Sequence, residues 1–168
     1  MKIKALIIAL LLSTSALASV HGLGLGIQFN YSTGGFYAPG AALAVSPIDA
    51  LNIAGTWYVY NETNIIGLTV DFVPLTIPII GSKDASSLNF NLGAGIFTNM
   101  HVIDKKVYPT GGVRFPVGLN FLLMNNFLEI YANVAPSFGV DLATIQDGEF
   151  KFSQPFYPIA VGARIWLR

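Results

Sequence analysis

Four charged side chains are the residues of this sequence whose types and spacing could do chemistry together. Asp71, Arg114, Glu129 and Arg164 each lie in a segment that alternates large apolar residues with small or polar ones, and each lies on the small or polar row. Their charges sum to zero, and an isolated buried charge is costly. If these rows face an enclosed interior, we expect a structural salt-bridge cluster in which each arginine bonds to a carboxylate on a neighbouring strand. A gated pore is the less favoured alternative.

Other candidates for chemistry are weaker. His101 lies in a charged stretch with no residue beside it in the context of a nucleophile, so a solvated loop histidine is the favoured interpretation. Neither His101 nor His21 has the spacing of a metal ligand. Gly22, Gly24 and Gly26 are superficially similar to a phosphate loop, but strand alternation explains them without a ligand. No catalytic residue, metal site or cofactor is predicted.

The composition indicates that water is not the only solvent of this chain. The 168 residues are 53% hydrophobic and 11% charged, with a mean hydropathy of +0.59, whereas soluble domains carry about 25% charged residues. After residue 20, no run of about 18 apolar residues follows, which excludes a bundle of transmembrane helices. The near-neutral charge makes nucleic acid an unexpected partner.

The first residues have the pattern of a secretory signal. Lys2 and Lys4 form a basic region, Ala5 to Leu12 form an apolar region, and Ala16-Leu17-Ala18 forms a cleavage site. We therefore predict a signal peptide at residues 1–18 and one mature domain at residues 19–168. The absence of cysteine excludes both disulfides and a lipid attached to a mature N-terminal cysteine.

Eight segments of the mature chain alternate with the period of two that is typical of strands with different environments on their two faces. In the last segment the apolar row runs from Tyr157 through Ile165 to Leu167, and the other row includes Arg164 and Trp166. Residues 75–86, which contain Pro78, are predicted to be a long turn. The eight predicted strands are Leu23–Tyr31, Phe36–Ser46, Leu51–Tyr60, Ile66–Pro74, Leu88–Met100, Gly112–Phe121, Leu128–Phe138 and Phe156–Arg168.

Strands of this length can cross a bilayer when tilted, and an even number returns the chain to the side from which it entered. The pattern predicts an all-β fold, an eight-stranded antiparallel up-and-down transmembrane barrel with its apolar rows facing lipid. With the N-terminus in the periplasm, loops near residues 32, 62, 104 and 147 become extracellular. The residues predicted to form an interfacial aromatic girdle are Tyr31, Tyr37, Trp57, Phe138 and Tyr157.

Over residues 19–168 the chain resembles the small eight-stranded outer-membrane barrels, the group that contains the OmpA membrane domain, OmpX and OmpW. The signal peptide, the alternation, the girdle and the terminal strand carry this resemblance. Members of that group usually end in an aromatic residue, whereas this chain ends in Trp166-Leu167-Arg168, a departure that points to a divergent lineage such as spirochaete-type barrels. The resemblance implies the bacterial outer membrane as location, with membrane lipid and the barrel-assembly machinery as partners.

Three functional classes follow. The first is a non-enzymatic surface barrel that serves envelope integrity or contacts a host or surface ligand through its extracellular loops. The second is a narrow channel for small hydrophobic molecules, as the resemblance to OmpW implies, and the third is a lipid-modifying enzyme. A soluble, secreted, lipocalin-like barrel is the alternative fold, although so few charges would coat its exterior poorly.

Overall fold

The computed structural model describes residues 22–34, 37–60, 63–82, 86–103, 106–145 and 151–167. The predicted signal peptide, together with Phe36 and Arg168, lies outside these residues. No helix among them is both long and apolar enough to cross a membrane. The elements are β1 (Leu23–Ser32), β2 (Ala38–Ile48), β3 (Leu51–Tyr60), β4 (Thr63–Ser82), β5 (Ser86–Ile103), β6 (Lys106–Arg114), β7 (Val117–Leu123), β8 (Leu128–Val134), β9 (Ser137–Asp141), a short helix α1 (Leu142–Ile145) and β10 (Ile159–Leu167).

The strands close into one antiparallel barrel. Each strand from β1 to β5 pairs with the next, and β10 pairs with both β1 and β8. β6 and β7 both pair with β5 and form the sixth barrel strand, and β8 and β9 form the seventh. The sixth strand is interrupted at Phe115-Pro116 and the seventh at Ala135-Pro136, because proline offers no N–H to a ladder. The predicted fold, eight antiparallel strands in a closed barrel, is confirmed.

The two ends of the barrel differ in what they carry. At the terminal end, Leu23 of β1 pairs with Leu167 of β10, where the described chain begins and ends. At the opposite end, called the loop end, β1 leads into β2 and β9 leads into α1. The register is offset around the closed sheet. A path that starts at Gly24 and moves each time to the paired residue on the next strand returns to the first strand beside Gly34. The offset is therefore ten residues. A stagger of this kind requires tilted strands, and eight of them enclose a space that side chains just fill.

The faces of the strands are inverted relative to a soluble protein. Outward-facing Phe29 and Leu43 are 73% and 72% exposed, whereas inward-facing Arg114 and Arg164 are each 7% exposed. The same alternation of exposed and buried residues runs along β1, β2 and β10. A period of two with apolar residues outside and polar residues inside is the pattern of a barrel whose exterior contacts hydrocarbon.

One predicted turn is wrong. Residues 75–82 instead continue β4 as far as Ser82 and pair with β5, from Leu75 opposite Leu92 to Ser82 opposite Ser86. Two irregularities interrupt the register, between Phe72 and Leu75 and between Pro78 and Ile80. β3 pairs with β4 only as far as Phe72, so the rest of β4 is an edge strand, and edge strands tolerate proline.

Candidate functional site

The carboxylate of Glu129 is the centre of a hydrogen-bonded network inside the barrel. The register of β8 and β10 puts Arg164 directly opposite Glu129. Glu129 Oε2 accepts bonds from Arg164 Nη1 at 3.0 Å and from Trp166 Nε1 at 2.9 Å, and Oε1 accepts one from Asn120 Nδ2 at 2.8 Å. Three donors therefore surround one buried negative charge, which meets the requirement that a buried ion be both paired and hydrogen-bonded.

The guanidinium of Arg164 is held from several directions. Its Nη2 donates to Asn52 Oδ1 at 2.8 Å, so one arginine connects β10 with β8 and with β3 across the barrel. Its Cζ lies 4.9 Å from the ring centre of Tyr131 and 5.3 Å from that of Trp166. Cation–π contacts of this kind strengthen when water is excluded. The positive charge is thereby neutralised and fixed in one orientation.

Neutral side chains extend this network through the lumen. Tyr131 Oη donates to Gln28 Oε1 at 2.9 Å, Gln28 Nε2 donates to Asn30 Oδ1 at 2.9 Å, and Asn30 Nδ2 lies 3.3 Å from Thr56 Oγ1. On the other side, Asn89 Nδ2 donates to Asn120 Oδ1 at 3.0 Å. We call the whole set the lumen network: Gln28, Asn30, Asn52, Thr56, Asn89, Asn120, Glu129, Tyr131, Arg164 and Trp166.

Asp71 and Arg114 form a second, separate ion pair. Arg114 Nε lies 3.1 Å from Asp71 Oδ1, and both side chains are buried. The expectation that each arginine meets a carboxylate on a neighbouring strand is wrong for this pair, because β4 and β6 are separated by β5. Gly95 of β5 is opposite both residues and has no side chain to separate them. An added Cβ at Gly95 would lie 2.2 Å from Asp71 Oδ1.

Apolar side chains pack together inside the barrel toward the loop end. Phe97 and Phe156 pack edge to face, with ring centres 5.0 Å apart and an interplanar angle of 90°. Phe156 also forms bridges with Gly34 and Ser137, which ties the chain entering β10 to the two flanking strands. This apolar layer, which lies between the loop end and the ion pairs, consists of Ala38, Tyr58, Ile65, Phe97 and Phe156.

The five aromatic residues predicted for a girdle are all outside the barrel and toward the loop end. Trp57 Nε1 donates to Asn64 Oδ1 at 3.0 Å, and Phe138 packs against Phe115 with ring centres 6.5 Å apart. The backbone N–H of Tyr157 donates to Thr33 O at 2.6 Å. The exposed fractions are 47% for Tyr31, 62% for Tyr37, 59% for Trp57, 46% for Phe138 and 43% for Tyr157.

His101 lies at the loop end of β5, opposite Ile65 and Tyr108. Its Nε2 is 3.5 Å from Thr110 Oγ1, which exceeds the reach of a general base on a nucleophile, about 2.6–3.2 Å. Among the described residues, no group of three or more His, Asp or Glu side chains could hold a metal ion. His101 is thus a half-buried strand residue, and the interpretation of it as a solvated loop histidine is wrong.

Several partners of the ion pairs lie on the small or polar rows of the alternation, although the predicted cluster did not include them. Asn52, Asn120, Tyr131 and Trp166 all bond to Glu129 or contact Arg164. The signal in the sequence for these four residues was strand parity, which means the alternation of inward and outward positions along a strand. Their contacts depend on the register between neighbouring strands and, for Asn52, on side chains that meet across the barrel, and parity encodes neither.

Comparisons with known proteins find structures but no sequence relative. No family model matches the chain, and no curated protein matches it. The N-terminal β-barrel domain of OprF from Pseudomonas aeruginosa has 9% identity and a TM-score of 0.44, covering 86% of this chain and 99% of that one. Neisserial surface protein A has 8% identity and a TM-score of 0.43, covering 86% and 96%. Ail, the attachment invasion locus protein of Yersinia pestis, has 13% identity and a TM-score of 0.45, covering 86% and 96%.

Proposed function

We propose that this chain is an integral protein of the bacterial outer membrane that acts as a non-enzymatic surface barrel. The observation that carries the proposal is the inversion of its faces, with large apolar side chains outside and buried ion pairs inside. Only hydrocarbon makes such an exterior favourable around a closed sheet. A lipocalin-like barrel would bury its apolar rows and expose its charges, which is the opposite arrangement.

The buried ion pairs and apolar side chains inside the barrel support a structural or surface role over a channel. Solute passing through the barrel would have to cross the apolar layer and then displace the lumen network, whose charges are already paired. A conducting form would therefore need to break buried ion pairs, which costs several kcal/mol. A narrow channel for hydrophobic molecules is the alternative, and it would require a lateral opening in the wall.

Surface contact through the loop end is the role we assign to the barrel. Membrane lipid and the barrel-assembly machinery are its proposed partners, and a host or surface ligand would bind at the loops. The terminal strand ends in Trp166-Leu167-Arg168, and Trp166 is 3% exposed and bonded to Glu129. Trp166 therefore belongs to the lumen network, on the inward side of its strand.

Fractionation and electrophoresis test the proposal. The protein should sediment with the outer-membrane fraction and, after detergent extraction, migrate differently on a gel when unheated than when boiled, because the closed barrel resists unfolding by detergent. Planar bilayers should show no discrete conductance steps. Recovery of the mature chain in the soluble secreted fraction would refute the membrane location, and reproducible conductance steps would favour the channel.

A further inference from the structure

The exterior of the barrel has a groove where small residues replace large ones. Across β1 to β4, one outward row consists of Phe29, Ala41, Trp57 and Ile66, which are partners in the sheet. The neighbouring row has Gly55 between Leu43 and Leu68. Ala41 and Gly55 form the floor of a groove of about 660 Å³.

The walls of the groove are tall and apolar. Phe29 and Leu43 project on one side, and Trp57, which is 59% exposed, and Ile66, which is 56% exposed, project on the other. Phe29 and Trp57 are two strand spacings apart, about 10 Å between backbones. A Cβ added to Gly55 would meet no atom within 4 Å, so the floor is open toward the exterior.

A polar group lies at the loop-end side of this groove. Asn64, which faces outward on β4 two residues before Ile66, accepts the bond from Trp57 Nε1. Its amide nitrogen can donate to an ester or phosphate oxygen. An amphiphile with its polar part toward the loop end and its chain toward the membrane centre would therefore meet matching chemistry along its length.

We infer that this groove binds one acyl chain of a membrane lipid, with the ester region of that lipid at Asn64. The inference rests on the proposed function, which puts this wall in a bilayer. The groove lies on the outward face of the wall, and its flanking residues Phe29 and Trp57 are on the two strands either side of β2. In hydrocarbon the binding comes from van der Waals contact rather than from the hydrophobic effect.

Native mass spectrometry of the full mature barrel, released from detergent micelles after exposure to phosphatidylethanolamine, tests the site. Ala41→Leu fills the floor of the groove, and Ala132→Leu makes the same change on an exposed, outward position of β8. We expect the wild type and Ala132→Leu to retain one phospholipid, and Ala41→Leu to retain it at least about fivefold less, because the chain loses its contacts with the floor. Equal retention in the two variants would overturn the inference, and so would a doubled mass without lipid, which would identify the occupant as a second copy.

Fluorescence quenching tests whether the lipid lies beside Trp57. The protein has two tryptophans, and Trp166 is 3% exposed inside the lumen. Bromine atoms on the acyl chains of the surrounding lipid should therefore quench the fluorescence of Trp57 and not that of Trp166. Wild type and Ala132→Leu should be quenched alike in vesicles of brominated phosphatidylethanolamine, and Ala41→Leu less; identical quenching in all three would overturn the inference. Folding is monitored separately by the heat-dependent gel shift, so loss of the shift in every protein would refute the membrane barrel itself rather than the groove.

Discussion

Replacing Glu129 by glutamine should destabilise the barrel by about 3–5 kcal/mol, the usual cost of breaking a buried ion pair by removing one partner. The substitution keeps the shape of the side chain but removes the charge that Arg164 faces at 3.0 Å. It also exchanges one acceptor oxygen for an NH₂ group, although three donors converge on the carboxylate. At least one donor then faces another donor, and a charge-assisted bond of about 1.5–3 kcal/mol is lost.

A double-mutant cycle separates this cost from any general disturbance of packing. Arg164→Met removes the opposite charge while keeping an unbranched apolar stem, so Glu129→Gln with Arg164→Met leaves no unpaired ion. We expect the double variant to lose at least about 2 kcal/mol less free energy of unfolding than the two single variants lose together, because residues in direct contact couple. Urea titration of barrels in phosphatidylcholine vesicles, read by the heat-dependent gel shift, measures each free energy of unfolding.

The gel shift is preferable to tryptophan emission because Trp166 itself bonds to Glu129, and its fluorescence would change with the substitution. Two results would refute the reasoning about the lumen network. One is a Glu129→Gln barrel within about 0.5 kcal/mol of wild type, the range of ordinary surface substitutions. The other is additivity in the cycle, which would mean that the two charges do not stabilise each other.

Three further predictions follow from the lumen and the topology. Gly95→Ala should destabilise the barrel by at least about 2 kcal/mol in the same urea assay, because its Cβ would overlap buried atoms, whereas Gly55→Ala should change stability by less than about 0.5 kcal/mol; similar costs would contradict the packing. If the lumen network seals the barrel as proposed, Arg164→Ala should raise ion leakage through planar bilayers above that of the wild type; unchanged traces would contradict a sealing role for Arg164. Because the chain has no cysteine, a single introduced thiol reports the side of the membrane on which it lies. Phe152→Cys should react with an impermeant maleimide in intact cells, and Ile80→Cys should react only after the outer membrane is opened. The reverse result would mean that the topology is inverted.

Strand parity made most of the barrel predictable from the sequence. The period of two is a local property, so each run of alternating residues gives both a strand and the identity of its two faces. It placed Glu129 and Arg164 on the inward face because their neighbours Ile130 and Ile165 belong to the apolar row. It also predicted the outward direction of Trp57 and Tyr157.

The extension of β4 was not predictable in this way, because proline argues against a central strand but is compatible with an edge strand. Pro74 and Pro78 argue against a strand that has two partners, and the sequence does not show that β3 stops pairing at Phe72. The same limit applies to the pairing of Asp71 with Arg114. Parity puts both inside, but only the registers of β4 and β6 with β5 put them on either side of Gly95.

The glycines at the start of β1 acquire a physical explanation from the arginine inside the barrel. A Cβ added at Gly24 would lie 2.7 Å from Arg164 Cδ and 3.0 Å from Trp166 Cζ3, so the absence of a side chain leaves room for both. A cylinder of eight strands has little interior volume, and a long cation can be buried in it only where a facing strand is bare. The glycine run that is superficially similar to a phosphate loop thus makes room for the charged side chain of Arg164 rather than for a bound ligand. The glycines of β1 and the ion pair are therefore linked by packing, because the missing side chains on β1 leave room for the pair that β8 and β10 place inside the barrel.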